Sequence, residues 1–453
     1  MSHQERGNFG SKLGVILATA GSAVGLGNVW RFPYMAGENG GAAFILIYIA
    51  CVFVIGLPCM IGEFIIGRHA ASNSARAYTK LSNGTAWKYI GYMGLLTGFL
   101  ITSYYSVVSG WCLQYVTESA IDGLHGNPDY FKNYFAEFST NPWKPIVWAV
   151  VFLVITHFVI IRGVRNGIER ASKILMPTLF ILLLVIVGAS CMLSGAEKGI
   201  SFLLKPDFSK VNSEVFLGAL GQSFYSLSIG MGCICTYASY FSRQTNLTGS
   251  AVQIGVIDTL VAILAGLMIF PAAFSVGVSP DSGPSLIFIT LPNVFERAFT
   301  GMAVVGYIIS LAFYALLSLA ALTSLISLHE VSTAFFQEEL HLTRNKAATI
   351  VTVTCSIIGA FCSLSLGDWD FLSVGSMNLF SLFDFITGQI FLPLGGFLTC
   401  LFLGWYVPKQ LVKDEFTNWG TLKIRLFGIF LFLIRFVCPI AILVIFLHQL
   451  GVF

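Results

Sequence analysis

Long apolar runs separated by short polar breaks recur along the whole chain, and no other feature restricts its fold as strongly. A run of about 20 apolar residues crosses a bilayer as a helix. At that depth the backbone polar groups must be satisfied inside the protein. Eleven such runs lie near residues 13–35, 42–67, 87–115, 145–161, 173–193, 215–240, 251–274, 300–335, 347–366, 374–406 and 424–450. Of the 453 residues, 56% are apolar and 10% charged, against about 25% charged in a soluble domain. This composition cannot cover a soluble surface, and it excludes disorder, coiled coil and collagen. The expectation is an all-α polytopic protein embedded in a lipid bilayer. No linker or shift of composition divides residues 1–453, so a single domain is expected.

The net charge of +3 is small. It reads as loop charge facing anionic lipid and not as nucleic-acid binding. With the N-terminus inside, the cytoplasmic segments hold seventeen Lys and Arg residues and the outside segments six. That bias predicts a cytoplasmic N-terminus and, for eleven spans, a C-terminus outside, in the cell inner membrane. The N-terminus shows no cleavable signal pattern. The sequons at Asn83 and Asn246 fall on cytoplasmic loops, where glycosylation is not expected. The ten cysteines are scattered, and those in apolar runs, such as Cys51, Cys59, Cys191 and Cys355, read as small core residues. Cys233 and Cys235 lack the spacing or second pair of a zinc site.

Two spans differ from the rest. The first contains GSAVGLGNVWRFP, where Gly21, Gly25 and Gly27 interrupt the helix and Asn28 and Arg31 follow. The sixth contains GQSFYSLSIGMG, with Gly221, Gly230 and Gly232 around Ser226 and Ser228. Gly21-x-x-x-Gly25 alone also reads as a helix-packing motif. No strand precedes it, which argues against a nucleotide loop. Two glycine-broken segments in the two halves of a chain point instead to a midplane substrate site. Ionisable residues at membrane depth are functional candidates by default. They are Arg31, Glu63, Asp258, Glu330, Asp384 and Arg435, and Glu330 and Arg435 have no role assigned by sequence. His329-Glu330 is followed by Thr333, so the two-histidine zinc helix is incomplete. No enzyme is expected.

The segments GSAVGLGNVWRFPYMAGENGGAAF, TSYYS, GQSFYSLSIGMGCICTYASY and AALTSLIS resemble the neurotransmitter:sodium symporter family, in particular its bacterial amino-acid transporter branch. The resemblance runs from about residue 9 to residue 406. It implies a leucine-transporter-like 5+5 inverted repeat with broken spans 1 and 6. Spans 1–5 fall at about 11–194, spans 6–10 at about 213–406, and a peripheral span 11 at about 422–450. Many relatives have twelve spans, so a homodimer is left open.

The resemblance also implies a site. Backbone N–H groups at Gly25, Leu26 and Gly27, with the Tyr105 hydroxyl, would hold a substrate carboxylate. Carbonyls near Ala23, Tyr225 and Ser228 would meet the amino group. Ser226, Ser324, Ile101, Met231 and Leu328 would complete the pocket, whose walls are apolar. Two sodium ions, which take oxygen ligands, are expected. The first would use Ala23, Asn28, Ser226 and Asp258. The second would use Gly21, Val24, Ala320, Thr323 and Ser324, although Thr323 and Ser324 also read as hydroxyls bonded back to their own helix. Tyr48 and Gln222 stand where animal relatives form a chloride site, and Asp258 would replace chloride by a fixed charge and take up a proton when sodium leaves.

The gates implied are Arg31 with Asp384 on the outer side, lidded by Tyr225, and Arg6 with Glu338 on the inner side, near Tyr240 and Phe9. Gly167 and Pro177 match a helix-unwinding motif in span 5 or else are a loop glycine and a tolerated proline. Glu63 is expected to bind unwound span-six amides. The expected activity is sodium-coupled, chloride-independent import of hydrophobic or aromatic L-amino acids. A non-transporting amino-acid sensor and a sodium channel are the alternatives.

Overall fold

A computed structural model describes residues 7–278, 286–422 and 426–452. Helices dominate, and the eleven expected spans can be followed in order. Span 1 is the pair Lys12–Ala23 and Gly27–Glu38, bent by 53°. Span 2 is Ala42–Ala70, span 5 Val164–Cys191, span 7 Leu247–Ser275 and span 8 Ala303–Glu339. Span 9 is Arg344–Leu364, span 10 Leu379–Tyr406 and span 11 Phe427–Gln449. Span 3 is Lys88–Ala120 and span 4 is Lys144–Ile160. Span 6 is broken into Ser213–Ser226 and Cys233–Ala238. Judged by length and hydropathy alone, span 3 is too rich in Gly, Ser and Tyr, and each half of span 6 is too short, to stand out as a crossing helix.

The two breaks have physical causes. Ser11 caps span 1, its hydroxyl accepting from the Gly14 N–H at 3.0 Å, and the helix runs to Ala23. Val24 then turns extended, with ψ 101°, which ends the ladder. Past the break, the chain restarts through a wide turn at Gly27–Arg31. In span 6 three residues take left-handed backbone, Ser228 at φ 55°, Gly230 at 87° and Gly232 at 76°. Glycine enters this region without a steric penalty, whereas a serine there is strained and needs support. That support is visible: the Ser228 hydroxyl donates to the Ser22 carbonyl at 2.9 Å. The unwound stretch of span 6 is therefore bonded to the last turn of the first helix of span 1.

Span 2 packs against span 6 and is buried along almost all of Leu57–Ala70. A Cβ at Gly67 would collide with the Cys235 carbonyl, so only glycine allows this approach. Spans 5 and 11 turn large apolar residues outward, among them Ile174, Ile181, Phe432 and Ile440. In a bilayer these face lipid chains. Helix Thr290–Ala298, between spans 7 and 8, lies over one end of the bundle. The turn before it is pinned by Tyr115 and Tyr314, whose hydroxyls donate to the carbonyls of Phe288 and Ile287 at 2.8 and 3.1 Å. A short hairpin, Ser373–Val374 with Met377–Asn378, joins spans 9 and 10. It was not expected in an all-α chain. Gly375, at φ 64°, makes its turn.

Candidate functional site

The broken ladders leave backbone groups that side chains must satisfy. The Gly25 N–H donates to Asn28 Oδ1 at 3.2 Å, and the Leu26 N–H to the Tyr105 hydroxyl at 3.3 Å. Both donors sit at the break in span 1, just before a half-helix begins, where the potential is positive. A Cβ at Gly25 would strike Ser324 Oγ, and one at Gly27 would lie 3.3 Å from the Tyr225 ring. The glycines thus let the backbone approach spans 6 and 8. Around this spot Ala23, Leu26, Ile101, Ser226, Ser228, Met231, Ser324 and Leu328 are buried.

Beside it lies a closed polar cluster. The Asn28 amide donates to Asp258 Oδ1 at 2.8 Å, to the Asp258 carbonyl at 3.1 Å and to Ser226 Oγ at 3.3 Å. Ser226 donates to both Asp258 oxygens at 3.0 and 2.9 Å, and the Tyr48 hydroxyl to Oδ2 at 3.0 Å. Asp258 is wholly buried. All these donors are neutral, so among the described residues no side-chain cation balances the carboxylate. A buried charge in that state calls for a counter-ion, and the hydroxyl and carboxylate oxygens suit a hard cation such as sodium, while Asn28 turns its amide nitrogen to them and its Oδ1 to the Gly25 N–H. Gln222 does not join the cluster. Its amide donates to the Gly27 carbonyl at 3.5 Å, and its Oε1 has no hydrogen-bond partner among the described residues.

A second group of oxygens gathers between spans 1 and 8. The Thr323 hydroxyl lies 3.0 Å from the Ala320 carbonyl, 3.2 Å from that of Leu319 and 3.4 Å from that of Val24. A Cβ on Gly21 would sit 3.3 Å from Thr323 Cβ and 3.4 Å from the Met176 sulfur. Gly21, Val24, Ala320 and Thr323 therefore meet, while Ser324 turns toward Gly25.

The gates differ from expectation. Arg31 and Asp384 form no direct ion pair. Arg31 stacks 4.4 Å over the Tyr225 ring, and Asp384 accepts from the Tyr104 hydroxyl at 3.1 Å. The bulky Tyr225 ring satisfies the guanidinium face before a carboxylate is reached. On the other side Glu338 accepts from the Asn73 backbone and side-chain amides at 2.9 and 3.0 Å. Arg6, its expected partner, lies outside the described residues.

Near Tyr240 the described residues also pair Glu330, a residue without an assigned role in the sequence. Glu330 accepts from the Tyr240 hydroxyl at 2.7 Å and from Arg344 at 2.5 Å, and Arg344 also donates to the Ile160 carbonyl at 2.6 Å. Phe9 packs edge-on against Tyr237 and Tyr240.

Glu169 was missed as well. It accepts from the Gly10 N–H at 2.6 Å, Ser11 at 2.7 Å and Lys173 at 2.7 Å, clamping the N-terminal segment to span 5. An i,i+4 Glu-Lys pair gave no hint of this, because such pairs are common on exposed helix faces. Gly167 sits in the wide turn Val164–Glu169 and Pro177 inside the helix that follows. Glu63 accepts from the Gly230 N–H at 2.7 Å. Arg435 donates to the Gly404 carbonyl at 2.6 Å and lies over Trp405, fastening span 11 to span 10.

With this geometry in view, the comparisons with known proteins agree with one another. The model of the sodium:neurotransmitter symporter family matches residues 6–127 and 127–453. An uncharacterised sodium-dependent transporter of Bacillus subtilis is 37% identical, covering 100% of this chain and 99% of its own. A human sodium- and chloride-dependent GABA transporter is 25% identical over 84% of this chain and 69% of its own. The crystal structure of MhsT in complex with L-phenylalanine superposes with a TM-score of 0.88 at 41% identity, covering 98% of this chain and 100% of that one. The fold is thus the 5+5 inverted repeat expected, and the chain belongs to the sodium:neurotransmitter symporter family of sodium-dependent membrane transporters.

Proposed function

We propose that this symporter carries hydrophobic or aromatic L-amino acids into the cell with two sodium ions, independently of chloride. One observation carries the reading: the Gly25 and Leu26 N–H groups sit at the break in span 1, and the buried apolar side chains of Ile101, Met231 and Leu328, with the Tyr225 ring beside Gly27, would form the wall. A zwitterion's carboxylate suits the Gly25 and Leu26 amides. An apolar side chain suits the wall, and methionine adapts to varied shapes. That MhsT binds L-phenylalanine supports this choice.

The first sodium would sit among Ala23, Asn28, Ser226 and Asp258, and the second among Gly21, Val24, Ala320, Thr323 and Ser324. Asp258 supplies the negative charge that chloride provides elsewhere and exchanges sodium for a proton on the return step. Tyr225 with Arg31 closes the outer path. Glu330, Arg344 and Tyr240 hold the inner path shut, on the side where the N-terminus lies in the cytoplasm. Each sodium crossing 100 mV releases about 2.3 kcal/mol, and a tenfold gradient adds about 1.4 kcal/mol. Two ions therefore supply roughly 7 kcal/mol, a ceiling near 10⁵-fold accumulation for a neutral zwitterion.

The test is radiolabelled uptake of twenty amino acids into proteoliposomes, with and without sodium and chloride. Sodium-dependent uptake of tryptophan, tyrosine, phenylalanine or leucine, unchanged by removing chloride, is expected. Uptake of glutamate or lysine unaffected by tryptophan, or complete dependence on chloride, would refute the reading.

A further inference from the structure

Span 3 turns one stripe of its surface toward the two broken spans. Gly94, Gly98, Ile101 and Tyr105 follow one another at intervals of four, three and four residues, which places them on one face of the helix. At one end of the stripe the Tyr105 hydroxyl meets the Leu26 N–H, and Ile101 is buried. At the other end the glycines leave a gap, and the unwound segment of span 6 fills it. A Cβ on Gly98 would sit 3.1 Å from the Met231 carbonyl oxygen, and one on Gly94 would sit 3.3 Å from the Gly232 nitrogen. Both separations are shorter than ordinary van der Waals contact. Glycine at 94 and 98 therefore lets the two backbones meet.

The same segment is walled on its other sides. A Cβ on Gly230 would lie 2.6 Å from the Leu392 carbonyl of span 10, and one on Gly395 would lie 3.0 Å from the Gly230 carbonyl. A Cβ on Gly232 would lie 3.3 Å from a methyl of Val331 on span 8. Glu63 of span 2 holds the Gly230 N–H at 2.7 Å. Spans 2, 3, 8 and 10 thus enclose residues 230–232. The side left to them is the substrate pocket proposed above, of which Met231 is a wall.

We propose that Gly98 sets the upper size of the substrate side chain. It is a positioning residue that acts through Met231, and its role rests on the transport function proposed above. With no side chain at 98, the Met231 carbonyl sinks against span 3 and the pocket keeps room for an aromatic ring. A methyl group there must displace the carbonyl by a few tenths of an ångström. Packed atoms block the other sides, so the segment moves toward the pocket. The largest substrate side chains lose their room first, and smaller ones keep theirs. A loss of fit on the scale of one methylene in an apolar pocket changes discrimination about tenfold or more.

The test is competition between labelled leucine and unlabelled tryptophan, measured on the full-length protein by equilibrium binding in detergent with sodium and by uptake into proteoliposomes. Gly98→Ala should keep leucine binding and lower the tryptophan-to-leucine preference about tenfold, with KM for tryptophan raised and kcat for leucine kept. Val331 also lies 3.6 Å from the Gly98 Cβ position, so adding Val331→Ala to Gly98→Ala should restore part of the preference. Gly110→Ala, pressed against the Ala149 backbone on the same span, is the structural control. It should lower the thermal midpoint and leave the preference unchanged. If Gly98→Ala does not fold, Val331→Ala alone decides, and its preference for tryptophan should exceed that of the wild type. An unchanged preference in Gly98→Ala or in Val331→Ala, or an equal shift in Gly110→Ala, overturns the proposal. A wild type that binds both amino acids and transports neither would sink the transport reading alone, and the binding preference would still decide the role of Gly98.

Discussion

Asp258 shows what a single buried carboxylate demands of its surroundings. Its carboxylate is wholly buried and bonded to Asn28, Ser226 and Tyr48, so a mobile cation can supply the missing charge. Asp258→Asn keeps the shape and removes the charge. Sodium affinity should fall about tenfold or more, at least ~1.4 kcal/mol, and added chloride should recover part of the uptake. Unchanged sodium dependence without any chloride effect would show that the fixed charge has no such role. Gly25 sets a steric counterpart. A methyl group there would collide with Ser324 Oγ, and overpacking of this kind costs about 1–3 kcal/mol. Gly25→Ala should weaken amino-acid binding by roughly ten- to a hundredfold on that scale, and Ser324→Gly in the same chain should restore part of it. Equilibrium binding of labelled phenylalanine in detergent measures both.

At the scale of elements, the helix Thr290–Ala298 is tied to the end of span 3 by His125. The imidazole bonds Asp122 and Glu296, each at 2.8 Å. Those two carboxylates, Asp122 foremost, hold its pKa above the ordinary histidine value of 6.5. A folded-state pKa raised in this way adds stability that is complete below the unfolded value and vanishes as pH rises through the folded one. The melting temperature of the wild type should therefore exceed that of His125→Gln most at about pH 5–6. The gap should close as pH rises beyond the neutral range. A gap that does not vary between pH 5 and 9 would show that the charged imidazole contributes nothing.

Elements also show where sequence reading stops. The broken spans were legible because glycine clusters inside apolar runs have few other uses. The partners of Arg31 and Asp384 were not legible, because equal depth on two helices says nothing about the Tyr225 ring under Arg31 or the Tyr104 hydroxyl on Asp384.

Over the whole molecule, the end of span 2 is fastened to the segment that links spans 10 and 11. Arg68 donates to Glu415 Oε2 at 2.7 Å, to the Glu415 carbonyl at 2.6 Å, to the Thr245 carbonyl at 2.7 Å and to Asn418 at 3.0 Å. Both charged side chains are 2% exposed. Removing one partner strands the other charge, at a cost of about 3–5 kcal/mol. Glu415→Ala should lower the thermal midpoint sharply, and the double variant Arg68→Met with Glu415→Leu should recover most of the loss. Additive losses in the double variant would show that the two residues act independently.

Eleven apolar runs determined a helical membrane protein, because a continuous run of about 20 apolar residues crosses lipid as a helix, whereas barrel strands are shorter and alternate. The glycine-broken pair pointed to a midplane ligand site, because unwound backbone at that depth serves a ligand, and the resemblance of the segments around it to the symporter family gave the class of transporter. Pairings between distant polar groups could not be read in the same way. Glu330 with Arg344 and Tyr240, Glu169 with the N-terminal segment, and Arg435 with Gly404 meet only after the spans have packed. Hydropathy and motif spacing report how each residue suits its own helix. Which side chains face one another depends on the crossing and rotation of helices hundreds of residues apart, and the tertiary structure alone decides that.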